Sequence, residues 1–441
     1  MAGCTAPAPP KKVMKTAGLA ADPPSGSPVA QSDWRDWANL TEGAAGQIAE
    51  RLLADDVADY LCFRAACRSW RRSTACPHAR DGLDRRFHPR RWVMLPLMTS
   101  SGGVRRELLN ITTGARVHVD LPELRHQHVL GPTSGGLLVI CDKRTLAMRL
   151  LNPLTRHLTA GLPDATSLLH TSAALTRQQQ QELLRYRLQS ARLHSAGLAN
   201  GEDSTVVLHF HTSWLVVAKP GDKRWRQLSG SNGFVVTALS FAGRFFCVTE
   251  NAIAAVDTAA EDPQLVPVAQ LQLGVELRPY DGTVKLVDND GELILVHRKW
   301  MGNSNIPRPG YEVHRVDLEA GNTVPMPGLS GRALFVGQGP RGCRPAISVP
   351  AGLSSCIRAD TVYTCRDFCR LDRVPEIIAR PAQYIPGILC SGIRQDAREC
   401  SVVHSMSRYI CYSEIIVSPP PRSQRVAVRG RHLLSSITTR S

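Results

Sequence analysis

The feature that most constrains this chain is a rhythm of short apolar runs, each closed by a turn signal, from about residue 90 to 368. Arg91-Trp92-Val93-Met94-Leu95 opens it. Leu137-Leu138-Val139-Ile140-Cys141 is entered by Gly135-Gly136 and left by Asp142-Lys143-Arg144. Leu146 to Leu151 follows, and Asn152-Pro153-Leu154-Thr155-Arg156 reads as a turn before Leu162-Pro163. Thr205 to Phe210 then pairs with Trp214 to Ala218, with Trp225 downstream. Later come Phe234 to Leu239 with Arg244 to Thr249, then Ile253 to Val256. Thr283 to Val287 and Glu292 to His297 flank a hairpin turn at Asn289-Asp290-Gly291, and Tyr311 to Leu318 follows. Runs this short, rich in Val and Leu and punctuated by Gly, Asn and Asp, are strands rather than helices.

Similar units recur about every 40 to 50 residues, the spacing of propeller blades. Gln178 to Gln181, leading into Glu182-Leu183-Leu184-Arg185-Tyr186-Arg187-Leu188, interrupt the rhythm with good helix formers. A helical insertion near 176–192 is expected there, on the surface.

Residues from about 33 to 82 have a helical period instead. Thr41 can cap a first helix in which Ile48, Leu52 and Leu53 recur at helical spacing, with Glu50 and Arg51 on the other side. Asp55 and Asp56 are placed to cap a second helix carrying Val57, Tyr60, Leu61 and Arg64. A third apolar line runs through Phe63, Cys67 and Trp70 and stops at Pro77. Three short helices cannot bury this much apolar surface among themselves, so part of it faces another domain or another protein.

The fold class expected is therefore α+β and multidomain: a three-helix unit followed by an all-β, propeller-like domain. With 441 residues, 43% of them hydrophobic, the chain can bury at least one large core. Residues 1–32 are rich in Pro, Ala and Gly and read as a tail. From about 370 to 441 the character changes: Arg but no Lys, and the stretch Ser418-Pro419-Pro420-Pro421-Arg422. No closing strand is legible there. The expectation is a domain incomplete at its C-terminal side, as a splice variant or frame change would leave it.

The formal net charge of +15 invites a nucleic-acid reading. The distribution opposes it, because the Arg pairs at 71–72, 85–86, 90–91 and 105–106 are scattered and no long basic block exists. Thirteen cysteines at irregular spacing, with no signal sequence ahead of them, do not form a secreted disulfide framework. Cys62 and Cys247 lie in apolar runs and are expected to be buried thiols in a reducing compartment, cytoplasm or nucleus. No window approaches the roughly 20 apolar residues that span a bilayer. Cys356, Cys365 and Cys369 lack the paired spacing of a zinc site, Asp288, Asp290 and Glu292 miss the calcium-loop spacing, and neither a phosphate loop nor a nucleophile elbow occurs. No catalytic residue, cofactor or metal is expected.

Leu52 to Tyr60, then Phe63-Arg64-Ala65 and Cys67-Arg68-Ser69-Trp70-Arg71, resemble the second half of an F-box. Leu40, Ile48, Leu52, Leu53, Val57, Tyr60, Phe63, Arg64, Cys67 and Trp70 match that pattern, while Thr41 stands where F-boxes usually carry Pro. Downstream, Arg86 to Leu95 and the run from Gly135 to Pro163 are similar to the plant, grass-type F-box family with a KIB-type β-propeller. The resemblance covers about residues 33 to 366. It implies a non-catalytic substrate receptor that docks a Skp-type adaptor, and through it a cullin, by way of those ten residues, and that holds a substrate protein on the propeller. The other reading is an interaction scaffold outside any ligase, with a vestigial F-box.

Overall fold

The computed structural model describes residues 37, 40–78, 82–96, 104–168, 193–199, 204–210, 214–228, 234–259, 262–274, 277, 282–301, 308–338, 345–355, 357–366, 382–385, 388–391, 402, 405–406 and 409–410. The tail at 1–32 and the helical insertion near 176–192 lie outside them.

Three helices come first: α1 (Glu42–Asp55), α2 (Val57–Ala66) and α3 (Arg68–Arg72). Each begins on a side-chain cap, which satisfies a backbone N–H that has no partner inside the helix. Thr41 Oγ1 accepts from Ala44 N, Asp56 Oδ1 from Ala58 N, and Cys67 Sγ from Trp70 N.

Six sheets follow among the described residues. The first holds β1 (Trp92–Met94), β2 (Arg105–Asn110) and β3 (Arg116–Asp120). The second holds β4 (Gln127–Pro132), β5 (Leu138–Asp142) and β6 (Met148–Leu151). The third runs β7 (Leu193–Ala199), β8 (Thr205–Phe210), β9 (Trp214–Ala218) and β10 (Arg226–Gln227). The fourth runs β11 (Thr237–Phe241), β12 (Arg244–Val248), β13 (Ala252–Asp257) and β14 (Gln264–Gln270). The fifth runs β15 (Val284–Asp288), β16 (Leu293–Met301), β17 (Arg308–Asp317) and β18 (Asn322–Pro325). These five are antiparallel meanders with neighbours in chain order. The expected hairpin at Asn289 to Gly291 joins β15 to β16, with Asp290 and Gly291 both at positive φ (62° and 89°), as a tight I′ turn demands.

The sixth sheet breaks the pattern. It contains β19 (Arg332–Gln338), β20 (Ile347–Pro350), β21 (Thr361–Arg366), β22 (Ala382–Ile385) and β23 (Ile388–Ser391), in the order β20-β19-β21-β23-β22. β21 pairs parallel to β19, and β23 parallel to β21. The segment after residue 370, in which no closing strand was legible, adds two strands to this sheet.

Successive residues of a strand point to opposite faces, so each sheet packs on both neighbours. Ile140 and Leu151 meet Trp92, Met94 and Leu108 of the first sheet. Their neighbours Val139 and Leu150 meet Val206, Leu208 and Val216 of the third. Val207, Leu215 and Val217 turn the other way, onto Phe245 and Cys247. Phe246 and Val248 continue to Val284 and Leu286, and Val287 and Ile294 continue to Leu334 and Val362. This two-sided burial explains why Thr205 to Phe210 is buried at every position. Gly197, between the third and fourth sheets, leaves no room for a methyl group, since a Cβ there would meet Ser240 Cβ at 2.4 Å.

Phe335, Val349 and Tyr363 of the sixth sheet share a cluster with Val93, Leu95 and Leu109 of the first. Among the described residues no strand hydrogen-bonds across this junction, so the propeller-like ring is not closed by a shared strand. Met406, Tyr409 and Ile410, in helical conformation and spaced to lie on one face, are buried in that same cluster.

One expectation about cysteine fails. Cys247 is buried, and burial pushes its thiol pKa up, but Cys62 is exposed. Val57, Tyr60 and Phe63 define the inward face of α2, and Cys62 lies off it.

Candidate adaptor-docking surface and its seat on the propeller

The helical unit has one sealed face and one open face. Ala45, Ala49 and Leu53 of α1, spaced four apart, pack with Val57, Tyr60 and Phe63 of α2 and with Phe87. Tyr60 is fully buried, and its hydroxyl donates to Ala75 O at 2.6 Å. Phe63 stacks on Trp70 with centroids 4.3 Å apart and planes within 10°. Trp70 Nε1 donates to Trp37 O at 3.0 Å.

The ten residues of the F-box pattern therefore divide by environment. Leu53, Val57, Tyr60 and Phe63 are buried in the unit's own core. Arg64 donates to Thr74 O at 2.6 Å and accepts at its carbonyl from Arg71 Nε, so it ties α2 to the segment after α3. Cys67 serves as the cap of α3. Leu40, Ile48, Leu52 and Trp70 keep apolar surface in reach of solvent. Ile48 is 37% exposed and Trp37 is 56% exposed, two of only four large hydrophobics exposed to this degree among the described residues. Trp37 was not among the residues singled out from sequence.

The sealed side is held on the propeller by side chains that the turn reading passed over. Asn152 Oδ1 accepts from Leu154 N and Thr155 N at 3.0 and 3.2 Å, the self-capped turn its sequence suggests. Its amide nitrogen donates to Phe87 O at 2.9 Å. Leu154 packs against both the helical core and the first two sheets.

Asn110, in Leu108-Leu109-Asn110-Ile111-Thr112-Thr113, repeats the arrangement one sheet earlier. Its Oδ1 accepts from Thr112 N and Thr113 N at 2.8 and 3.0 Å. Its Nδ2 donates to Asp56 Oδ2 at 2.6 Å. Asp56 also accepts from Trp92 Nε1 at 2.8 Å while capping α2. Arg85 reaches the fourth sheet, donating to Gly243 O at 2.9 Å. Gly136, at φ 84°, passes so close that a Cβ would meet Pro89 O at 2.3 Å. The one available signal was the repeated Leu-Leu-Asn-x-x-Thr of 108–113 and 150–155.

His88 lies in this seam and is 4% exposed. Burial, then the Arg85 and Arg90 charges, push its imidazole down to about 4. Among the described residues no group of three or more His, Cys, Asp or Glu is placed to hold a metal, and no helix is long and apolar enough to cross a membrane.

No curated protein matches the chain. Among solved structures, dihydro-heme d1 dehydrogenase NirN in complex with DHE is similar over 53% of this chain and 46% of its own, at 14% identity and TM-score 0.25. The Cps50 (Swd1) β-propeller domain of Myceliophteria thermophila covers 53% and 69% at 11% identity and TM-score 0.29. Apo AztD from Citrobacter koseri covers 58% and 59% at 10% identity and TM-score 0.29. The chain spans less than two thirds of the first and third of these, and likeness at this level leaves the fold to rest on the sheets themselves. A family model described as the KIB1-4 beta-propeller matches residues 108–402, more than half of the chain, from β2 through the helical residue Val402. The chain belongs to the KIB1-4 beta-propeller family.

Proposed function

We propose that this protein is the substrate-receptor subunit of a Skp-cullin-F-box ubiquitin ligase, with α1–α3 as its F-box. The observation that carries the reading is the asymmetry of the helical unit. One side packs on Phe87 and Leu154, while Ile48 and Trp37 stay exposed and Leu40, Leu52 and Trp70 are half-buried. An apolar face kept open on a small unit fits a protein partner, here a Skp-type adaptor that leads on to a cullin.

The propeller, a protein-interaction fold, holds the substrate protein. The chain supplies no catalytic residue of its own. It raises the effective concentration of substrate lysines near the charged ubiquitin carrier. It acts in the cytoplasm or nucleus, binds no cofactor, and works without a membrane or nucleic acid.

Co-purification of the full chain with a plant Skp-type adaptor tests this, beside an Ile48→Asp, Trp37→Ala variant. Stoichiometric capture by the wild type alone supports the reading. Equal failure of both removes it and leaves the scaffold reading, in which the propeller binds partners outside any ligase.

A further inference from the structure

We propose that Asn110 and Asn152 are positioning residues that set the orientation of the helical unit on the propeller, through their amide donors. The functional consequence rests on the ligase reading above; the geometry does not.

A turn capped in this way at the end of a strand does not require asparagine. In the fourth and fifth sheets aspartate does the same work: Asp257 Oδ1 accepts from Ala259 N, and Asp317 Oδ1 accepts from Glu319 N and Ala320 N. What a carboxylate lacks is a donor. In the first two sheets the capping oxygen is already occupied by two backbone N–H groups, so the amide nitrogen must face outward. There it donates to Asp56 Oδ2 at the start of α2 in one case, and in the other to the carbonyl of Phe87, in the turn that leads from the helices to β1 and packs in the helical core.

These are the two sheets on which the helices sit. The two amide bonds add direction to a seat that Phe87 and Leu154 already pack in the helical core. Placed on successive sheets, with Trp92 Nε1 on the same Asp56 carboxylate, they fix that direction. The open face bearing Ile48 is then held at a fixed direction to the opposite rim of the propeller, where the turn carrying Lys143 and Arg144 lies. A ligase receptor positions its substrate by this angle.

The test is Asn110→Asp in the full chain. The new carboxylate still caps the turn, as Asp257 and Asp317 do, but it faces Asp56 with like charge. Two carboxylates at hydrogen-bond distance share a proton when the pH falls, which restores a donor. A fluorescent donor and acceptor are installed as non-natural residues at positions 50 and 143. The wild type should show a narrow distance distribution at pH 7 and pH 5. Asn110→Asp should show a clearly broadened one at pH 7 that narrows at pH 5. Asn152→Asp, where Phe87 O offers no proton to share, should broaden at both.

Unchanged distributions in variants that keep their circular dichroism overturn the proposal. So does broadening of Asn110→Asp that acid does not reverse, since the cause is then general damage. If Asn110→Asp does not fold, Asn110→Ser, which keeps a short side-chain acceptor for the turn and cannot span to Asp56, is read in its place: broadening supports the proposal and an unchanged width overturns it. Adaptor capture is scored on the same samples, so failure of the ligase reading is seen separately.

Discussion

Phe63 and Trp70 lie face to face, ring centroids 4.3 Å apart, with the indole nitrogen of Trp70 bonded to the carbonyl of Trp37. The stack binds the buried core of the helical unit to its open face. Trp70→Ala should lower the stability of this unit by about 2 kcal/mol, because a half-buried aromatic and its stacking partner are lost together. It should also weaken adaptor capture, since Trp37 loses its anchor. Urea denaturation followed by capture at a temperature where the variant is folded separates the two effects.

Ile48 and Leu53 lie five residues apart in α1 and are expected to behave oppositely. Leu53 is 4% exposed and Ile48 37%. Leu53→Asp buries an unpaired charge in the helical core and should unfold the unit. Ile48→Asp should leave the melting temperature within a degree or two of wild type, because surface substitutions act within about 0.5 kcal/mol, and still abolish capture. Retained capture by folded Ile48→Asp would move the docking face elsewhere.

His88 should make stability depend on acidity. Its folded pKa of about 4 lies below the value near 6.5 expected of an unfolded imidazole. The stability linked to it is complete above pH 6.5 and is lost as pH falls toward 4, when the unfolded chain takes up a proton that the folded chain refuses. The loss is on the order of 3 kcal/mol. His88→Gln should flatten that fall, measured as denaturation midpoints at pH 7, 5.5 and 4.5.

Gly136→Ala should cost stability through two causes that add. The residue sits at φ 84°, which an L side chain rarely adopts, and the new methyl group would meet Pro89 O at 2.3 Å. A loss of about 2 kcal/mol or more is expected, from strain plus displacement of the seam. A thermal midpoint equal to wild type would show that the segment at Pro89 does not press on this turn.

Deleting residues 400–441 should destabilise the junction between the first and sixth sheets. Met406, Tyr409 and Ile410 are each no more than 3% exposed. Each buried side chain of this size contributes about 1.5–3 kcal/mol. A lowered midpoint together with dye binding to newly exposed apolar surface is the expected result. An unchanged midpoint would mean that the sheets meet without this segment.

Much of the fold was legible because the signals are local. Alternation and turn chemistry placed β5, β8, β9, β12, β15 and β16 close to where they are, and the hairpin at Asp290-Gly291 follows from which residues tolerate positive φ. The parallel pairing of β19 with β21 was not legible. Such a pairing needs a connection that crosses the sheet, and nothing near Arg332 or Thr361 announces it. Residues 402–410 were overlooked because their apolar spacing has meaning only against the cluster that Phe335 and Tyr363 build.

The candidate site divides along the same line. That Thr41, Asp56 and Cys67 begin helices, and that Asn110 and Asn152 can turn a chain back, is decided within a few residues, by the satisfaction of backbone N–H groups nearby. Which face of α1 stays open is not decided there. Ile48 and Leu53 are both large aliphatic residues in one helix, and sequence alone grouped them as equal contacts. Only the packing of α2 and of Phe87 against one side of α1 seals Leu53 and leaves Ile48 in water, because burial is a property of what approaches from elsewhere in the chain.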